Sequence, residues 1–219
     1  MYKRQEKFGV KVLEDKNIYS SKGRFIGQDY IVERDWSNAL FFLTAGVEVR
    51  GLNKLSIQGD KEALKYFNEL GLENFSENGY KFIKKKDAKE KITIDAKDIP
   101  DTIPILSVLC GVYGKEVEVI NIERLKLKES DRVKSTIEML ERLGVKVSLK
   151  EDSFSFRGVG KFNSCKINSF NDHRIAMSAS IAAGFSKGPI EIIDSECVEK
   201  SYKEFYKDLA SLGGENHVL

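Results

Sequence analysis

The amino-acid sequence predicts an α/β protein in which one structural unit is repeated along the chain. Three observations support this class: glycines that end helices recur at intervals of 62 to 73 residues, acidic residues precede apolar helices at similar intervals, and short runs with alternating apolar residues lie between the helices. Repetition with such a period indicates one supersecondary unit used several times. The unit that we infer has the order β-α-β-α-β-β, and three copies of it fit the chain.

The first repeated element is the end of a helix followed by a hairpin. A helix often ends at a residue with positive φ, which glycine adopts at no steric cost because it has no side chain. After one of these glycines, residues 146–149 and 153–156 alternate at period two on either side of two acidic residues, a pattern that predicts a β-hairpin. The glycines that mark these helix ends are Gly9, Gly71, Gly144 and Gly213.

The second repeated element is the start of a helix. Asp and Ser side chains accept a hydrogen bond from an unpaired N–H of the first turn, so such residues before an apolar run predict N-caps. One series of helices is apolar nearly all round and should be buried. In the other series apolar residues fall at helical spacing, as at Val133, Ile137 and Leu140, which predicts amphipathic helices. The predicted caps are Asp35, Asp101 and Asp172 for the buried series, and Asp60, Asp131 and Ser201 for the amphipathic series.

Composition excludes several classes of function. The chain has 219 residues with 36 Lys and Arg against 34 Asp and Glu, a net charge of +2, which argues against a general nucleic-acid-binding protein. A lysine-rich run at residues 84–91 also contains acids and lacks interleaved aromatic residues, so we interpret it as a solvated turn. No apolar stretch approaches the roughly 18 residues needed to span a membrane. Three widely spaced cysteines fit reduced thiols in a cytoplasmic protein, and two histidines without a CxxC motif give no support for a metal site.

The length corresponds to about one and a half typical domains, and the repeats explain this value. Residues 34–219 accommodate the three units, whereas residues 1–33 hold only the tail of an earlier unit, part of a helix and its hairpin. We therefore divide the chain into a remnant over residues 1–33 and a complete lobe over residues 34–219. Residues 215–219 are expected to fray at the chain end.

The helix starts are the expected place for chemistry, because the partial positive charge and free N–H groups there favour anions. Arg174 opens an otherwise apolar helix, so its charge must reach water or meet an anion. Each candidate also has a simpler interpretation: Asp101 as a cap alone, His173 as a histidine at the boundary of the core, and residues 126–132 as a mutually paired, solvated cluster. Repetition of charged residues at matching helix starts favours a site that binds several negative charges.

Three motifs resemble those of the 5-enolpyruvylshikimate-3-phosphate synthases, in the expected order and spacing. They are Lys128-Glu129-Ser130-Asp131-Arg132, Asp172-His173-Arg174-Ile175-Ala176-Met177, and Pro100-Asp101 followed by Pro104. Weaker matches at residues 35–39, 58–60 and 197–201 extend the resemblance over nearly the whole chain. It implies the enolpyruvyl transferase fold, an inside-out α/β barrel of two lobes, each with three β-α-β-α-β-β repeats and buried parallel helices. This chain resembles the carboxyl-terminal lobe, with residues 1–33 as a remnant of the amino-terminal lobe.

The resemblance implies a transferase of the shikimate pathway, in chorismate and aromatic amino acid biosynthesis. The enzyme moves the enolpyruvyl group of phosphoenolpyruvate to the 5-hydroxyl of shikimate 3-phosphate and releases phosphate, without a metal or organic cofactor. The implied catalytic residues are Asp101, near the attacking hydroxyl, and Glu129, near the enolpyruvyl methylene. Arg132, Arg174 and Lys200 are implied to bind phosphoenolpyruvate, Asp101 and Lys128 to bind shikimate 3-phosphate, and His173 to support the site.

The resemblance also implies that part of the site is absent. The family's first lobe carries much of the shikimate 3-phosphate pocket and a further phosphoenolpyruvate arginine, and this sequence has no counterpart for them. Two hypotheses remain open: the chain is half of a working synthase completed by a separate or removed amino-terminal part, or it is a catalytically silent lobe that binds anions. We expect the chain alone to be inactive. A third alternative, an enolpyruvyl transferase acting on UDP-N-acetylglucosamine, is not expected to show the first two motifs together.

Overall fold

The computed structural model describes residues 6–15 and 18–214, and the chain divides into two compact units, residues 1–33 and 34–219. In the first unit, strand β1 (Lys11–Asp15) pairs antiparallel with strand β2 (Ile18–Lys22). Residues 215–219, for which the sequence predicts fraying, lie outside the described residues.

Over its described residues, the second unit consists of α-helices joined by strands and by short 3-10 helices. The α-helices are α1 (Trp36–Thr44), α2 (Leu64–Glu69), α3 (Ile103–Tyr113), α4 (Arg132–Arg142), α5 (His173–Ala183) and α6 (Phe205–Ser211). The strands are β3 (Val49–Arg50), β4 (Leu72–Asn74), β5 (Gly79–Tyr80), β6 (Phe82–Lys84), β7 (Lys91–Asp95), β8 (Glu116–Ile120), β9 (Val147–Leu149), β10 (Ser153–Phe156), β11 (Cys165–Asn168) and β12 (Ile190–Ile193). The 3-10 helices are Gly59–Ala63, Pro100–Thr102, Ile122–Leu127 and Ser195–Lys200. In this described part of the chain, no helix has the length and apolar content that crossing a membrane requires.

A four-stranded sheet with the strand order β7-β8-β10-β9 occupies residues 91–156. Strands β7 and β8 are parallel, with Ile92 opposite Val117, and α3 forms the crossover between them. Strand β10 is antiparallel to both β8 and β9, with Phe154 opposite Leu149, so the predicted hairpin is confirmed. Residues 91–156 therefore follow the order β-α-β-α-β-β.

The remaining strands of the second unit form smaller sheets. Strands β11 and β12 are parallel, with Ile167 opposite Ile192. Strand β3 pairs antiparallel with β5, and β4 pairs antiparallel with β6. Parallel pairs joined by helices, together with antiparallel pairs, make the unit a mixed α/β structure, which is the class that the sequence predicts.

Helices α1, α3 and α5 pack against one another in the core of the second unit. Their apolar sequences leave almost no polar face, and residues such as Leu40 and Leu106 are at most 1% exposed. Burying a side chain of this size stabilises a fold by about 1.5–3 kcal/mol. Helix α4 differs because it buries Met139 and exposes Lys134 and Glu141. The predicted division into buried and amphipathic helices is confirmed for these elements.

Three of the predicted caps are confirmed. The carboxylates of Asp35, Asp131 and Asp172 accept hydrogen bonds from backbone N–H groups of the first turns of α1, α4 and α5 at 2.9 to 3.3 Å. Each bond satisfies a donor that the helix itself cannot pair. These caps fix where the three helices begin, and therefore where the side chains of their first turns lie.

The other three predicted caps are wrong. Asp101 lies in a 3-10 helix ahead of α3 and caps neither helix. Its carboxylate instead binds two cations, Lys128 and Arg132, from a distant part of the sequence. Asp60 lies inside a 3-10 helix and accepts a hydrogen bond from the hydroxyl of Ser37. Ser201 is followed by a turn, and α6 begins further along the chain. Tertiary contacts decide the first two cases, so local sequence does not predict them.

The glycines predicted to end helices are confirmed in that role by their backbone conformation. The φ angles of Gly9, Gly71, Gly144 and Gly213 are 80°, 77°, 93° and 95°. At Gly71 packing imposes a second requirement, because a Cβ atom there would lie 2.1 Å from the carbonyl oxygen of Lys86. Only glycine meets both requirements at this position.

Candidate active site

The starts of α1, α3, α4 and α5 meet in one region of the second unit. Side chains from the segments that lead into these helices are joined there by hydrogen bonds and salt bridges. Residues far apart in sequence therefore become neighbours. We call the central group the helix-start cluster; its members are Asp101, Lys128, Glu129, Arg132, Asp172, His173 and Arg174.

Arg132 lies at the centre of the helix-start cluster, with only 1% of its surface exposed. Its Nε donates to Oδ2 of Asp172 at 2.8 Å, and its Nη2 donates to Oδ1 of the same carboxylate at 3.2 Å. Its Nη1 donates to Oδ1 of Asp101 at 2.6 Å, and Nη2 also donates to the carboxylate of Glu129. Three carboxylates thus hold one guanidinium, whose charge would be costly to bury without them.

The electrostatics of this arrangement favour ionised side chains. Burial by itself would raise the pKa of Asp172, but the hydrogen bonds and charge of Arg132 outweigh burial and hold this pKa below its ordinary value. Burial also opposes ionisation of Asp101, and the hydrogen bond from Lys128 with the charge of Arg132 lowers the pKa of Asp101 nonetheless. Burial disfavours the cation of Arg132, yet Asp172 and the other carboxylates raise its pKa. Both aspartates are therefore anions at neutral pH.

Lys128, Asp101 and Glu129 form the partly exposed side of the helix-start cluster. The Nζ of Lys128 is 2.9 Å from Oδ1 of Asp101, the same oxygen that Arg132 binds. The side chains of Asp101 and Glu129 are 37% and 42% exposed, whereas that of Arg132 is 1% exposed. A ligand can therefore reach the guanidinium of Arg132 only when one of these two carboxylates gives way.

His173 is a buried histidine with an unpaired ring nitrogen. Its pKa is lowered by burial first and by the charge of Arg174 second, so the ring is neutral at pH 7. Its Nδ1 lies 3.8 Å from Oε1 of Glu129, beyond hydrogen-bond distance, and no described residue bonds to it. A ligand or a small shift of Glu129 would satisfy this nitrogen.

Arg174 is the second buried arginine, with 7% of its surface exposed. Its Nη1 donates to Oδ1 of Asn38 on α1 at 3.2 Å, and its guanidinium carbon lies 5.8 Å from the centre of the Phe41 ring. Its Nε has no hydrogen-bond partner among the described residues. A buried donor without a partner is costly, so this nitrogen is a candidate contact for an anion.

Lys200 lies beside the turn that leads into α5. Its Nζ donates to the carbonyl of Asn171 at 2.7 Å. Phe170 and Asn171 have φ angles of 54° and 56°, in the left-handed region that residues other than glycine rarely adopt. The structure thus brings the predicted site residues into one region: six belong to the helix-start cluster, and Lys200 contacts the residue before Asp172.

Three residues for which the sequence predicts no role in the site also lie there: Asn38, Asp60 and Asp172. Asn38 and Asp172 hold the two buried arginines. Burial raises the pKa of Asp60, and the nearby carboxylate of Asp101 adds to this effect against the hydrogen bond from Ser37. Each residue lies within a motif that the sequence resemblance includes, so a signal for its importance existed, although nothing in the sequence specified its contacts.

The site combines cations and carboxylates rather than forming a bare basic surface. An anion can bind there by using an unpaired donor or by replacing a carboxylate on a cation. Carboxylates in different environments can divide the tasks of accepting and donating protons. No group of three or more side chains suited to a metal ion occurs among the described residues. The cations are Lys128, Arg132, Arg174 and Lys200, and the carboxylates are Asp60, Asp101, Glu129 and Asp172.

The fold and the site define an α/β protein that gathers cationic and carboxylate side chains at the starts of its helices. Residues 4–209 match the family model described as EPSP synthase (3-phosphoshikimate 1-carboxyvinyltransferase). The chain belongs to this family.

Relatives and solved structures agree with this assignment. The 3-phosphoshikimate 1-carboxyvinyltransferases of Clostridium acetobutylicum and Thermococcus kodakarensis are 38% and 37% identical over 97% and 94% of this chain. The chain spans about half their length, 51% and 52%. An EPSP synthase from Acinetobacter baumannii superposes with a TM-score of 0.78 and 25% identity, over 96% of this chain and 53% of that one. The enolpyruvyl transferase NikO from Streptomyces tendae shares the fold, with a TM-score of 0.71 and 14% identity over 96% of this chain and 51% of its own.

Proposed function

We propose that this chain is the carboxyl-terminal part of a 3-phosphoshikimate 1-carboxyvinyltransferase, which moves the enolpyruvyl group of phosphoenolpyruvate to the 5-hydroxyl of shikimate 3-phosphate and releases phosphate. The observation that carries the proposal is the contact of Arg132 with both Asp101 and Glu129, which joins an anion-binding group to two groups suited to proton transfer. Family membership supports this reaction. An activity on UDP-N-acetylglucosamine has no support from the relatives described above.

The buried arginines and Lys200 suit phosphoenolpyruvate, which carries a phosphate and a carboxylate. Guanidinium groups bind both kinds of anion through paired N–H donors. Arg174 has an unpaired Nε, and the ammonium of Lys200 has donors beyond the one that binds Asn171. Arg132 would join them when Glu129 leaves its Nη2. The substrate anion would then replace the carboxylate on this guanidinium.

The two catalytic carboxylates would divide the proton movements of the transfer. The hydroxyl of shikimate 3-phosphate loses a proton as its oxygen bonds to the enolpyruvyl carbon, and the methylene carbon gains one. The bond to phosphate then breaks, and the same carbon loses a proton as the double bond returns. The ionised Asp101 would accept the hydroxyl hydrogen bond, with Lys128 beside it to bind the anionic acceptor substrate. Glu129 would serve the methylene carbon, with His173 in a supporting role 3.8 Å away.

We also propose a finer architecture for the chain than the mixed α/β class specifies. We propose three β-α-β-α-β-β repeats arranged as an inside-out barrel; residues 91–156 supply one copy of that element order, and the mutually packed, buried helices α1, α3 and α5 fit the proposed interior. The separation of residues 1–33 as their own unit supports a remnant of an amino-terminal lobe. Three free cysteines suit a reducing compartment, for which we propose the cytoplasm.

A separate amino-terminal lobe is the partner that we propose, since the chain spans about half the length of its relatives. The test mixes the purified chain with a matching amino-terminal lobe and measures phosphate released from phosphoenolpyruvate and shikimate 3-phosphate. We expect background release from the chain alone and turnover from the mixture. Robust turnover by the chain alone would refute the proposal that the chain holds only part of the active site.

A second candidate function is a catalytically silent lobe that binds anions. The carboxylates on Arg132 fit a silent lobe, because internal anions already satisfy that guanidinium. Anion binding would then rest on Arg174, whose Nε has no partner among the described residues. It predicts that anion binding persists while the mixture with an amino-terminal lobe shows no turnover. Phosphate release by the mixture therefore distinguishes the two functions.

A further inference from the structure

One fully buried carboxylate, that of Asp172, connects the two arginines of the site. It is 0% exposed. Its Oδ2 accepts hydrogen bonds from Nε of Arg132 at 2.8 Å and from the hydroxyl of Ser130 at 3.0 Å. Its Oδ1 accepts from Nη2 of Arg132 at 3.2 Å and from the backbone N–H of Arg174 at 2.9 Å. The carboxylate thus has four donors, which belong to three residues.

We propose that Asp172 is a positioning residue, which fixes the guanidinium of Arg132 and the first turn of α5 in the geometry that receives a substrate anion. The proposal rests on the proposed function, because it concerns anion binding by these arginines. Asp172 itself does not touch the substrate.

The carboxylates on Arg132 differ in how easily they can move. Asp101 and Glu129 are partly exposed, so water can solvate either one after it leaves the guanidinium. Asp172 has no such route, because an unpaired charge in a buried position is costly. The Nε–H and one N–H of Nη2 therefore stay on Asp172. The donors that an anion can take are Nη1 and the other N–H of Nη2, which bind Asp101 and Glu129.

The same carboxylate couples helices α4 and α5. One oxygen of Asp172 binds Arg132 in α4 while it also caps α5 through the N–H of Arg174. Ser130 holds the other oxygen, and its hydroxyl lies 2.9 Å from the hydroxyl of Ser135 in α4. A displacement of Asp172 would therefore move both arginines relative to each other. Misplacement of groups in an active site by about 1 Å can lower the rate of the reaction by about two orders of magnitude.

The substitution Asp172→Asn tests the proposal because asparagine keeps the size and can still cap α5, but has no charge for Arg132. The first readout is the exchange with water of the Nε proton of Arg132, followed by nitrogen-15 NMR on the full chain. We expect slow exchange in the unsubstituted protein and exchange faster by about tenfold or more in the variant. Asp131→Asn is the matched control, since Asp131 caps α4 next to Arg132 without bonding to the guanidinium of Arg132. In this variant the Nε proton of Arg132 should exchange as slowly as in the unsubstituted protein.

The second readout is the affinity for phosphoenolpyruvate, measured by calorimetry. We expect Asp172→Asn to weaken it by about tenfold or more and Asp131→Asn to leave it unchanged. If Asp172→Asn does not fold, Ser130→Ala replaces it, with a smaller acceleration of exchange at Arg132 expected. Unchanged exchange at Arg132, or unchanged affinity with accelerated exchange, would overturn the positioning role. If the unsubstituted chain binds no phosphoenolpyruvate by itself, the affinities are measured on the chain mixed with an amino-terminal lobe. Absence of binding there too would contradict the proposed function, and accelerated exchange would then still support the hold of Asp172 on Arg132.

Discussion

A hydrogen bond of 3.2 Å joins Nη1 of Arg174, at the start of α5, to Oδ1 of Asn38 in α1, across 136 positions of sequence. The ring of Phe41, also in α1, lies near the guanidinium. Two buried helices thereby hold this arginine in place while its Nε has no partner in the described part of the chain. The fixed position and the unpaired donor together support the proposal that Arg174 contacts a substrate anion.

Arg174→Ala should weaken the binding of phosphoenolpyruvate to the chain. A hydrogen bond to a charged group contributes about 1.5–3 kcal/mol, so we expect a loss of affinity of about 10- to 100-fold. Calorimetry on folded protein measures this loss. Arg157→Ala is the matched control, because the exposed Arg157 bonds only to the carbonyl of Lys115 among the contacts described. Equal affinities for the two variants would contradict a role for Arg174 in anion binding.

His173 should make the stability of the protein depend on pH. Its pKa in the folded protein lies below the ordinary value of 6.5, chiefly because of burial. As the pH falls below about 6.5, the unfolded chain binds a proton that the folded protein does not, so the free energy of unfolding decreases until the folded pKa is reached. His173→Asn should remove this slope, which denaturant titrations at several pH values would measure.

His217 provides the control for that titration, since it is the other histidine of the sequence. His217→Asn should retain the dependence on pH that His173→Asn loses. If both variants kept the full slope, the titrating group would not be His173.

Features with local signals were predictable from the sequence. The positive φ of Gly144 and the cap formed by Asp172 depend on residues within a few positions, and both predictions are confirmed. Asp101 is not a cap, and its carboxylate instead binds Lys128 and Arg132, which lie about 30 positions further along the chain. A tertiary ion pair outweighs a local preference in that case, and no pattern near Asp101 states it.

The same limit applies to the candidate site. The resemblance named Arg132 and Arg174. The hydrogen bonds from Arg132 to carboxylates, however, depend on how α3, α4 and α5 pack. The bond from Arg174 to Asn38 depends in the same way on the packing of α1 against α5. The sequence therefore named candidate residues that the structure brings together, but it missed the site contacts of Asn38, Asp60 and Asp172, which only the structure gives.

Thr136→Val should stabilise the protein. Thr136 is 0% exposed in α4, and its hydroxyl has no hydrogen-bond partner among the described residues. A buried hydroxyl without a partner costs about 1–3 kcal/mol, and valine has nearly the same shape without the polar atom. We expect the free energy of unfolding to rise by about 1 kcal/mol in denaturant titrations. Ser178→Ala is the contrasting variant, because that buried hydroxyl already donates to the carbonyl of Arg174 at 2.6 Å, so its removal relieves no unpaired polar atom and should give a smaller gain.

Gly71→Ala should destabilise the protein more than Gly46→Ala. Both glycines have a φ of 77°, so an alanine meets the same backbone strain at either position. A Cβ at Gly71 would overlap the carbonyl of Lys86, whereas nothing lies within 4 Å of a Cβ at Gly46. We expect the two variants to differ by about 1–3 kcal/mol in the free energy of unfolding, the usual cost of overpacking. Equal losses would mean that the segment at Lys86 moves aside freely.

Asp101→Asn should abolish most of the turnover of the chain mixed with an amino-terminal lobe. Asparagine keeps the size of the side chain but cannot take a proton from the substrate hydroxyl, and general acid–base groups contribute about 10²- to 10⁴-fold to a rate. Phosphate release should therefore fall by a factor in this range. Asp98→Asn is the control, because Asp98 is exposed just ahead of the same 3-10 helix and outside the helix-start cluster. Since Asp101 also binds Lys128, a merely structural role predicts weaker binding of shikimate 3-phosphate with the rate at saturation unchanged; a loss confined to KM would refute the catalytic role.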